Sequence, residues 1–300
     1  VSTWCELLLR EQTVICGKWN HQTYRILKLL GQGANGIVYL VERAGLRCAM
    51  KIGLDTLALQ SEMNGLRALR LDAECPFFIE SDDFELAGHT YTFYIMRYIE
   101  GESLRTYLQT FGTDWLPVLG LRILRRLQLI HQKGYIFGDL KSENMLVSDF
   151  GRLELIDYGG LTKKGQAIRQ FTEKYDRGHW RLGSRVAEES YDIFAFAILC
   201  LESLAPNSFE HWYKKNATCR NFSTLLHFIE NEPQTLPYRQ FFSLALKGKL
   251  KTSSAALEVW RRIARTKYTV SVPKMRGRWL KIMFASSILL FVCTIFYVLP

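Results

Sequence analysis

No two cysteines of this 300-residue chain stand in a Cys-x-x-Cys pair, and none has a histidine cluster beside it. The seven, Cys5, Cys16, Cys48, Cys75, Cys200, Cys219 and Cys293, read as free thiols of a reducing compartment, which excludes a zinc finger and a disulfide framework. A secretory leader is not expected either, because the apolar run in Trp4-Cys-Glu-Leu-Leu-Leu-Arg10 is short and holds an acid. Acidic residues are nearly absent from one long stretch. Between Lys247 and Lys281 eleven Lys/Arg meet the single acid Glu258, while the other 28 basic and 28 acidic residues of the chain balance. The net charge of +10 therefore sits in one segment attached to a neutral body. At 48% hydrophobic and 23% charged residues the chain is too apolar for disorder, and it is long enough for one large domain or two lobes.

What is present is organised around residues 137–160. Phe137-Gly-Asp-Leu-Lys-Ser-Glu-Asn-Met-Leu-Val147 offers Asp139, then Lys141, then Asn144; Leu153-Glu-Leu-Ile-Asp-Tyr-Gly-Gly160 adds a second acid, Asp157. Phosphoryl transfer needs such parts: a carboxylate to take a hydroxyl proton, a cation near the phosphate, and oxygen ligands for magnesium. The apolar runs Met145–Val147 and Leu153–Ile156 flank a turn at Asp149–Arg152, so a hairpin is expected to set Asn144 beside Asp157. The plain alternative is an ordinary hairpin whose acids are solvated.

Upstream, Tyr24-Arg-Ile-Leu-Lys-Leu-Leu30 and Ile37-Val-Tyr-Leu-Val41 read as strands around Gly31-Gln-Gly33-Ala-Asn-Gly36. Glycines there let backbone N–H groups approach phosphate oxygens closely. A dinucleotide crevice uses the same glycine spacing but follows it with a helix, whereas a strand follows here. Lys51 is the one lysine in the strand Arg47-Cys-Ala-Met-Lys-Ile52, and its ammonium needs an anion, either a phosphate or a carboxylate of the next helix. That helix is expected over Thr56 to Leu71, with Leu59, Met63, Leu66 and Leu69 as its apolar stripe and Glu62 as its only acid. A surface lysine and a solvated glutamate are the bland reading of the pair. Residues 1–18 read as a short helical lead-in.

Downstream, Asp82–Leu86 and Tyr91–Ile99 are expected to pair around Ala87-Gly88-His89, and Ser103-Leu-Arg105 to open a helical half. A leucine-rich helix from Leu116 to Lys133 reads as buried support, with Pro117 in its first turn and His131 packed or capping at its end. Tyr191–Leu201 reads as an apolar helix too short to span a bilayer. Asp192 in its first turn is either a helix N-terminal charge or an anchor for backbone amides of the loop above.

In this order and at these spacings, with eighteen residues from Asp139 to Asp157, the motifs resemble those of the eukaryotic-like (Hanks-type) Ser/Thr protein kinases over residues 24–250. Through Tyr135-Ile-Phe-Gly-Asp-Leu-Lys141 and Tyr175-Asp-Arg-Gly178 the chain further resembles the membrane-anchored YabT-type kinases of spore-forming bacilli, which implies a setting in sporulation. The resemblance implies an α+β, two-lobed protein-kinase-like fold, with a lead-in at 1–23, the N-lobe at 24–98 and the C-lobe at 99–250. It implies transfer from ATP, with magnesium, to Ser/Thr of protein substrates. By that likeness Gly31, Gly33, Gly36 and Val38 cover the nucleotide and Lys51, paired with Glu62, holds the α- and β-phosphates. Met96 gates the adenine pocket, with Arg97, Tyr98 and Ile99 as hinge. Asp139 is the base, Lys141 steadies the γ-phosphate, and Asn144 and Asp157 bind magnesium.

The chain departs from the family pattern in several places. Phe137-Gly138 replaces His-Arg before the base, so the usual arginine receiver of an activation-loop phosphate is missing. Asp157-Tyr158-Gly159 stands for Asp-Phe-Gly, Arg97 for a common hinge glutamate, and Ala187-Glu188 is a rough stand-in for Ala-Pro-Glu. Glu62 lies only eleven residues after Lys51. Gly-Asp-x-x-x-x-Asn also resembles the aminoglycoside and choline kinases, which act on small molecules; Lys141 argues against that reading. A pseudokinase scaffold that binds nucleotide or DNA is the third reading, and the set Lys51, Asp139, Asn144 and Asp157 argues against it.

Residues 282–299 pass without a charge and, as a helix, would reach about 27 Å against a hydrocarbon core of roughly 30 Å. Lys274, Arg276, Arg278 and Lys281 precede this run and no charge follows, so a single-pass C-terminal transmembrane helix is expected in the cell membrane with the kinase cytoplasmic. The basic juxtamembrane segment 251–281 would meet anionic membrane lipid near the bilayer. Farther from it the YabT-type likeness implies DNA. In Ala255–Lys267, Ala256, Val259, Trp260 and Ile263 are expected to dock on the kinase lobe, leaving Arg261, Arg262, Arg265 and Lys267 for phosphates. A solvated basic face is the bland reading.

Overall fold

A computed structural model describes residues 8–33, 36–53, 55–69 and 77–271, with the positions 284, 286, 287 and 294 beyond them. The chain divides into two compact units between Arg261 and Arg262. Nearly all of the expected transmembrane helix over 282–299, together with Lys274, Arg276, Arg278 and Lys281, lies outside the described residues. Among the described residues no single helix is long and apolar enough to cross a membrane.

In the first unit, strands β1 (Val14–Cys16), β2 (Thr23–Gly33), β3 (Gly36–Arg43), β4 (Leu46–Ile52), β5 (Phe78–Leu86) and β6 (His89–Arg97) form an antiparallel sheet in the order β1-β2-β3-β4-β6-β5. Successive side chains of a strand point to opposite faces, and here the two faces have different tasks. One collects Tyr24 and Ile26, Ile37, Tyr39 and Val41, Cys48, Met50 and Ile52, and Phe93 and Ile95 into a single apolar cluster. The alternate positions form rows on the other side: Val38 opposite Lys51, Lys51 opposite Tyr94, and Ala49 opposite Met96. That second face lines the cleft described below.

Strand β1 corrects the expected helical lead-in over its described part. Val14 and Ile15 are β-branched and suit an edge strand, and Ile15 drops into the same apolar cluster. The turn after it is held by the buried Asp82 carboxylate, which accepts the N–H groups of Trp19 at 3.1 Å and Asn20 at 2.8 Å. The sheet thus begins at Val14, before the Tyr24 start read from the sequence.

Helix α1 (Thr56–Leu69) starts where Asp55 Oδ1 accepts the N–H groups of Leu57 at 2.9 Å and Ala58 at 3.1 Å, an N-cap. It buries Leu59, Met63, Leu66 and Leu69, and Glu62 with them. The helical half follows. Its helices are α2 (Leu104–Phe111), α3 (Leu116–Gln132), α4 (Glu189–Leu204), α5 (Pro206–Lys215), α6 (Phe222–Asn231), α7 (Arg239–Leu246) and α8 (Ser253–Ser271). Ser103 caps α2 by accepting the Thr106 N–H. Helix α4 is buried along nearly its whole length, which explains its lack of a polar face. Short strands β7 (Glu102–Ser103), β9 (Met145–Ser148) and β10 (Arg152–Leu155) form a small sheet, and β8 (Tyr135–Ile136) pairs with β11 (Thr162–Lys163).

Trp260 plugs α8 into this half. Its indole N–H donates to Pro117 O at 3.0 Å, and its ring lies 4.9 Å from both Phe196 and Phe241. The approach needs Gly120, since a Cβ there would lie 2.5 Å from the indole. Removing such a fully buried ring typically costs about 3–5 kcal/mol. The buried residues of α8 include Ala256, Leu257 and Trp260, whereas Val259 and Ile263, expected to dock, are only half-buried. With Trp260 at the centre of the buried face, Val259 one residue away is turned by about 100° and falls off it.

Candidate active site

A cleft of about 570 Å³ separates the cleft-facing side of the sheet from the helical half, and Gly31, Gly33, Gly36, Val38, Lys51, Met96, Tyr98, Lys141, Asn144 and Asp157 all line it. Positions 34 and 35, the tip of the glycine turn, lie outside the described residues. Its walls carry apolar Ala49, Leu146 and Ile156 with a few convergent polar groups, the usual make-up of a small-molecule site.

Lys51 is only 4% exposed, so its ammonium needs compensation. Nζ donates to both Glu62 oxygens, at 3.0 and 2.8 Å, and to Asp157 Oδ1 at 3.1 Å. Burial alone would lower the lysine pKa, but these carboxylates override it and raise it above the ordinary value, keeping the group charged. Burial likewise works to raise the Asp157 carboxyl. The Lys51 ammonium and the Gly159 N–H reverse that and hold it below its usual range. For Glu62 burial is the largest influence and its pKa is raised. Glu62 sits behind Lys51, and the buried Tyr94 hydroxyl donates to its Oε1 at 3.0 Å. Eleven residues suffice for this pairing because α1 begins directly after β4 and brings Glu62 round within two turns.

The catalytic-loop candidates converge at the other end. Lys141 Nζ donates to Asp139 Oδ2 at 2.6 Å, and Asn144 Nδ2 donates to the Asp139 carbonyl at 2.8 Å. The β9–β10 hairpin sets Asn144 next to Asp157, with Ile156 N–H donating to Asn144 O at 3.1 Å. The fully buried Asp192 is an anchor for the loop. Oδ2 accepts the Phe137 N–H at 2.8 Å, Oδ1 accepts the Gly138 N–H at 2.9 Å, and His131 Nε2 lies 2.8 Å from Oδ2. His131 is accordingly a packed residue. Tyr158 keeps the role of an aromatic wedge, its ring 5.4 Å from Phe77 and 5.5 Å from Phe137. Arg97, in the hinge, forms an ion pair with Glu154 at 3.4 Å. Glu188 receives Arg177 at 3.2 Å.

Two participants escaped the sequence reading. Thr172 Oγ1 donates to Asp139 Oδ1 at 2.8 Å and accepts from Lys141 Nζ at 3.3 Å. No local pattern marks it, since 33 residues separate it from Asp139. Tyr94 carries no signal of its own within the apolar strand Tyr91–Ile99. Only the strand register, which puts it opposite Lys51, points to it.

The donor set suits a magnesium nucleotide. Among the described residues Asn144 Oδ1 and Asp157 Oδ2 accept no hydrogen bond, and no cluster of three or more His, Cys, Asp or Glu is built to cage a metal. Magnesium is typically held by one or two protein oxygens plus substrate phosphates. Gly31 and Gly33 leave the sheet side of the cleft open to close approach by phosphate.

Residues 24–262 match the protein kinase domain family. The chain belongs to that family. The serine/threonine-protein kinase YabT of Bacillus subtilis (strain 168) is 39% identical over 251 residues, covering 82% of this chain and 72% of that protein. The serine/threonine-protein kinase SMU1 of Mycosarcoma maydis is 25% identical over 207 residues, 66% of this chain and 28% of that protein. The eye isozyme of protein kinase C of Drosophila melanogaster is 27% identical over 198 residues, 61% of this chain and 28% of that protein. The kinase thus spans just over a quarter of the length of the latter two. It is a Ser/Thr protein kinase, and members of this family use ATP and a divalent metal.

Proposed function

We propose that the protein transfers the γ-phosphoryl group of ATP, with magnesium, to serine or threonine hydroxyls of protein substrates, with Asp139 as the base. The observation that carries this reading is the single cluster in which Asp139, Lys141 and Asn144 interlock while Lys51 bridges Glu62 and Asp157. Asp139 receives the hydroxyl proton, and Lys141 places positive charge where the phosphoryl group crosses. Lys51 orients the α- and β-phosphates, and Met96 with Arg97, Tyr98 and Ile99 borders the adenine. Asn144 and Asp157 would hold the metal, which when bound neutralises charge on the phosphates. The full chain, incubated with labelled ATP and a generic protein substrate, is expected to lose about 10²–10⁴-fold of its rate in Asp139→Asn. Unchanged incorporation would overturn the assignment, and label passing to aminoglycosides or choline but never to protein would install the small-molecule reading.

We further propose that residues 282–299 anchor this kinase in the cell membrane with its catalytic unit cytoplasmic, and that α8 binds duplex DNA without sequence preference. The charge-free run behind four Lys/Arg supports the first, and the exposed Arg262 and Arg265 with half-buried Arg261 support the second. Carbonate extraction should leave the full chain in the membrane pellet and release a chain ending at Arg278; release of both refutes the anchor. DNA affinity should fall with salt with a logarithmic slope of about −0.9 per phosphate neutralised, and should drop when Arg261, Arg262 and Arg265 become alanine. No binding at low salt would leave anionic lipid as the partner of the basic segment.

A further inference from the structure

The catalytic loop lacks the arginine that would receive a phosphate carried by the segment between Asp157 and Glu188, since Phe137-Gly138 stands before the base. That segment is nevertheless fastened by fixed charges. Lys174, in the short turn Glu173–Tyr175, donates to Glu202 Oε1 on α4 at 3.1 Å and to Glu210 Oε2 on α5 at 2.8 Å. Glu202 is 4% exposed, in a helix that is otherwise almost wholly apolar. It also accepts from Arg105 at 2.5 Å and from the Tyr175 hydroxyl. The Arg105 backbone N–H in turn donates to Ser142 Oγ at 2.7 Å, next in sequence to Lys141. Two residues before Lys174 stands Thr172, whose hydroxyl touches both Asp139 and Lys141. One buried carboxylate therefore ties the loop, the start of α2 and the catalytic loop together.

Ordering by phosphorylation places the anion on the loop and the cation on the body. Here the polarity is reversed, and both partners are encoded side chains. We propose that Lys174 is a positioning residue of the transfer reaction: its ion pairs with Glu202 and Glu210 hold Thr172 against Asp139 and Lys141, and do permanently what a loop phosphate paired to arginine does on demand. The proposal rests on the kinase reading above. Lys174 does not line the cleft, so its loss should disturb the acceptor side and spare nucleotide binding.

The test is steady-state kinetics of the full chain with ATP and a protein substrate, with wild type and Asp139→Asn measured alongside to establish the reaction separately. Lys174→Ala is expected to lower kcat/KM for the protein substrate by about ten- to a hundredfold through misplacement of the acceptor, with the KM for ATP unchanged within about twofold. Lys174→Arg keeps the charge and should retain most of the rate. The exchange Lys174→Glu with Glu210→Lys should recover about tenfold or more over Lys174→Glu alone, as expected for a pair that couples directly. Phosphatase treatment should leave the wild-type rate unchanged. Wild-type kinetics in Lys174→Ala, an equal rise in the KM for ATP, an exchange without recovery, or a phosphatase-sensitive wild type would each overturn the proposal.

Discussion

Two sets of glycines shape the active site, and they answer to different neighbours. Gly138 has φ +85°, and a Cβ there would lie 2.5 Å from the carbonyl oxygen of Gly160. Gly36 has φ +140°, with Ile52 O at 2.3 Å from its Cβ position. These positions are glycine because the protein's own backbone closes on them. Gly31 and Gly33 are different: a Cβ at either meets no described atom within 4 Å, and neither has a left-handed φ. Their lack of a side chain serves an approaching phosphate and not the fold. Gly138 in the catalytic loop and Gly36 at the end of the glycine turn are thus specified by internal packing, and Gly31 and Gly33 by what they cover.

The hardest blow to the rigid side of this comparison is Asp192→Ala. It strands the Phe137 and Gly138 N–H groups and His131 in a buried site, and about 3–5 kcal/mol of folding stability should be lost in denaturant unfolding. A loss under about 1 kcal/mol, the value of an ordinary exposed hydrogen bond, would mean the loop holds without its anchor. Gly138→Ala comes next. Left-handed strain and the Gly160 contact should cost about 1–3 kcal/mol and also depress transfer, since Asp139 is the following residue. Gly33→Ala is the smallest on stability, within about 0.5 kcal/mol by thermal melting, yet it should raise the KM for ATP. If Gly33→Ala melted as early as Gly138→Ala, the distinction between the two sets would collapse.

Legibility in the sequence followed the same division. The β9–β10 hairpin, the Asp139–Asn144 loop and the Lys51 strand could be read because each is local, with turn residues and spacing inside one short window. Helix α1 was readable too, and its N-cap Asp55 stands directly before it. Asp192 was readable only as two alternatives, because choosing between them needs the loop that folds over it. What escaped depends on partners far away along the chain. Asp82 holds a turn 63 residues upstream, Tyr94 reaches back 32 residues to Glu62, and Lys174 meets a helix 28 residues on. The strand at Val14–Cys16 is too short to carry a period, and only its pairing with Thr23–Arg25 distinguishes it from the expected helix.

The division of the sheet into a packed face and a cleft face has a consequence for how the gene can change length. Met50 and Ile52 point one way and Lys51 the other. A single codon inserted between Cys48 and Met50 would swap their directions, sending an ammonium into the apolar cluster and a methionine toward Glu62. Two codons would restore the direction though not the position. Length variation in this part of the protein is therefore governed by parity inside the strands, and whole insertions are confined to turns such as Ala44-Gly45 and Ala87-Gly88, where no alternation is at stake.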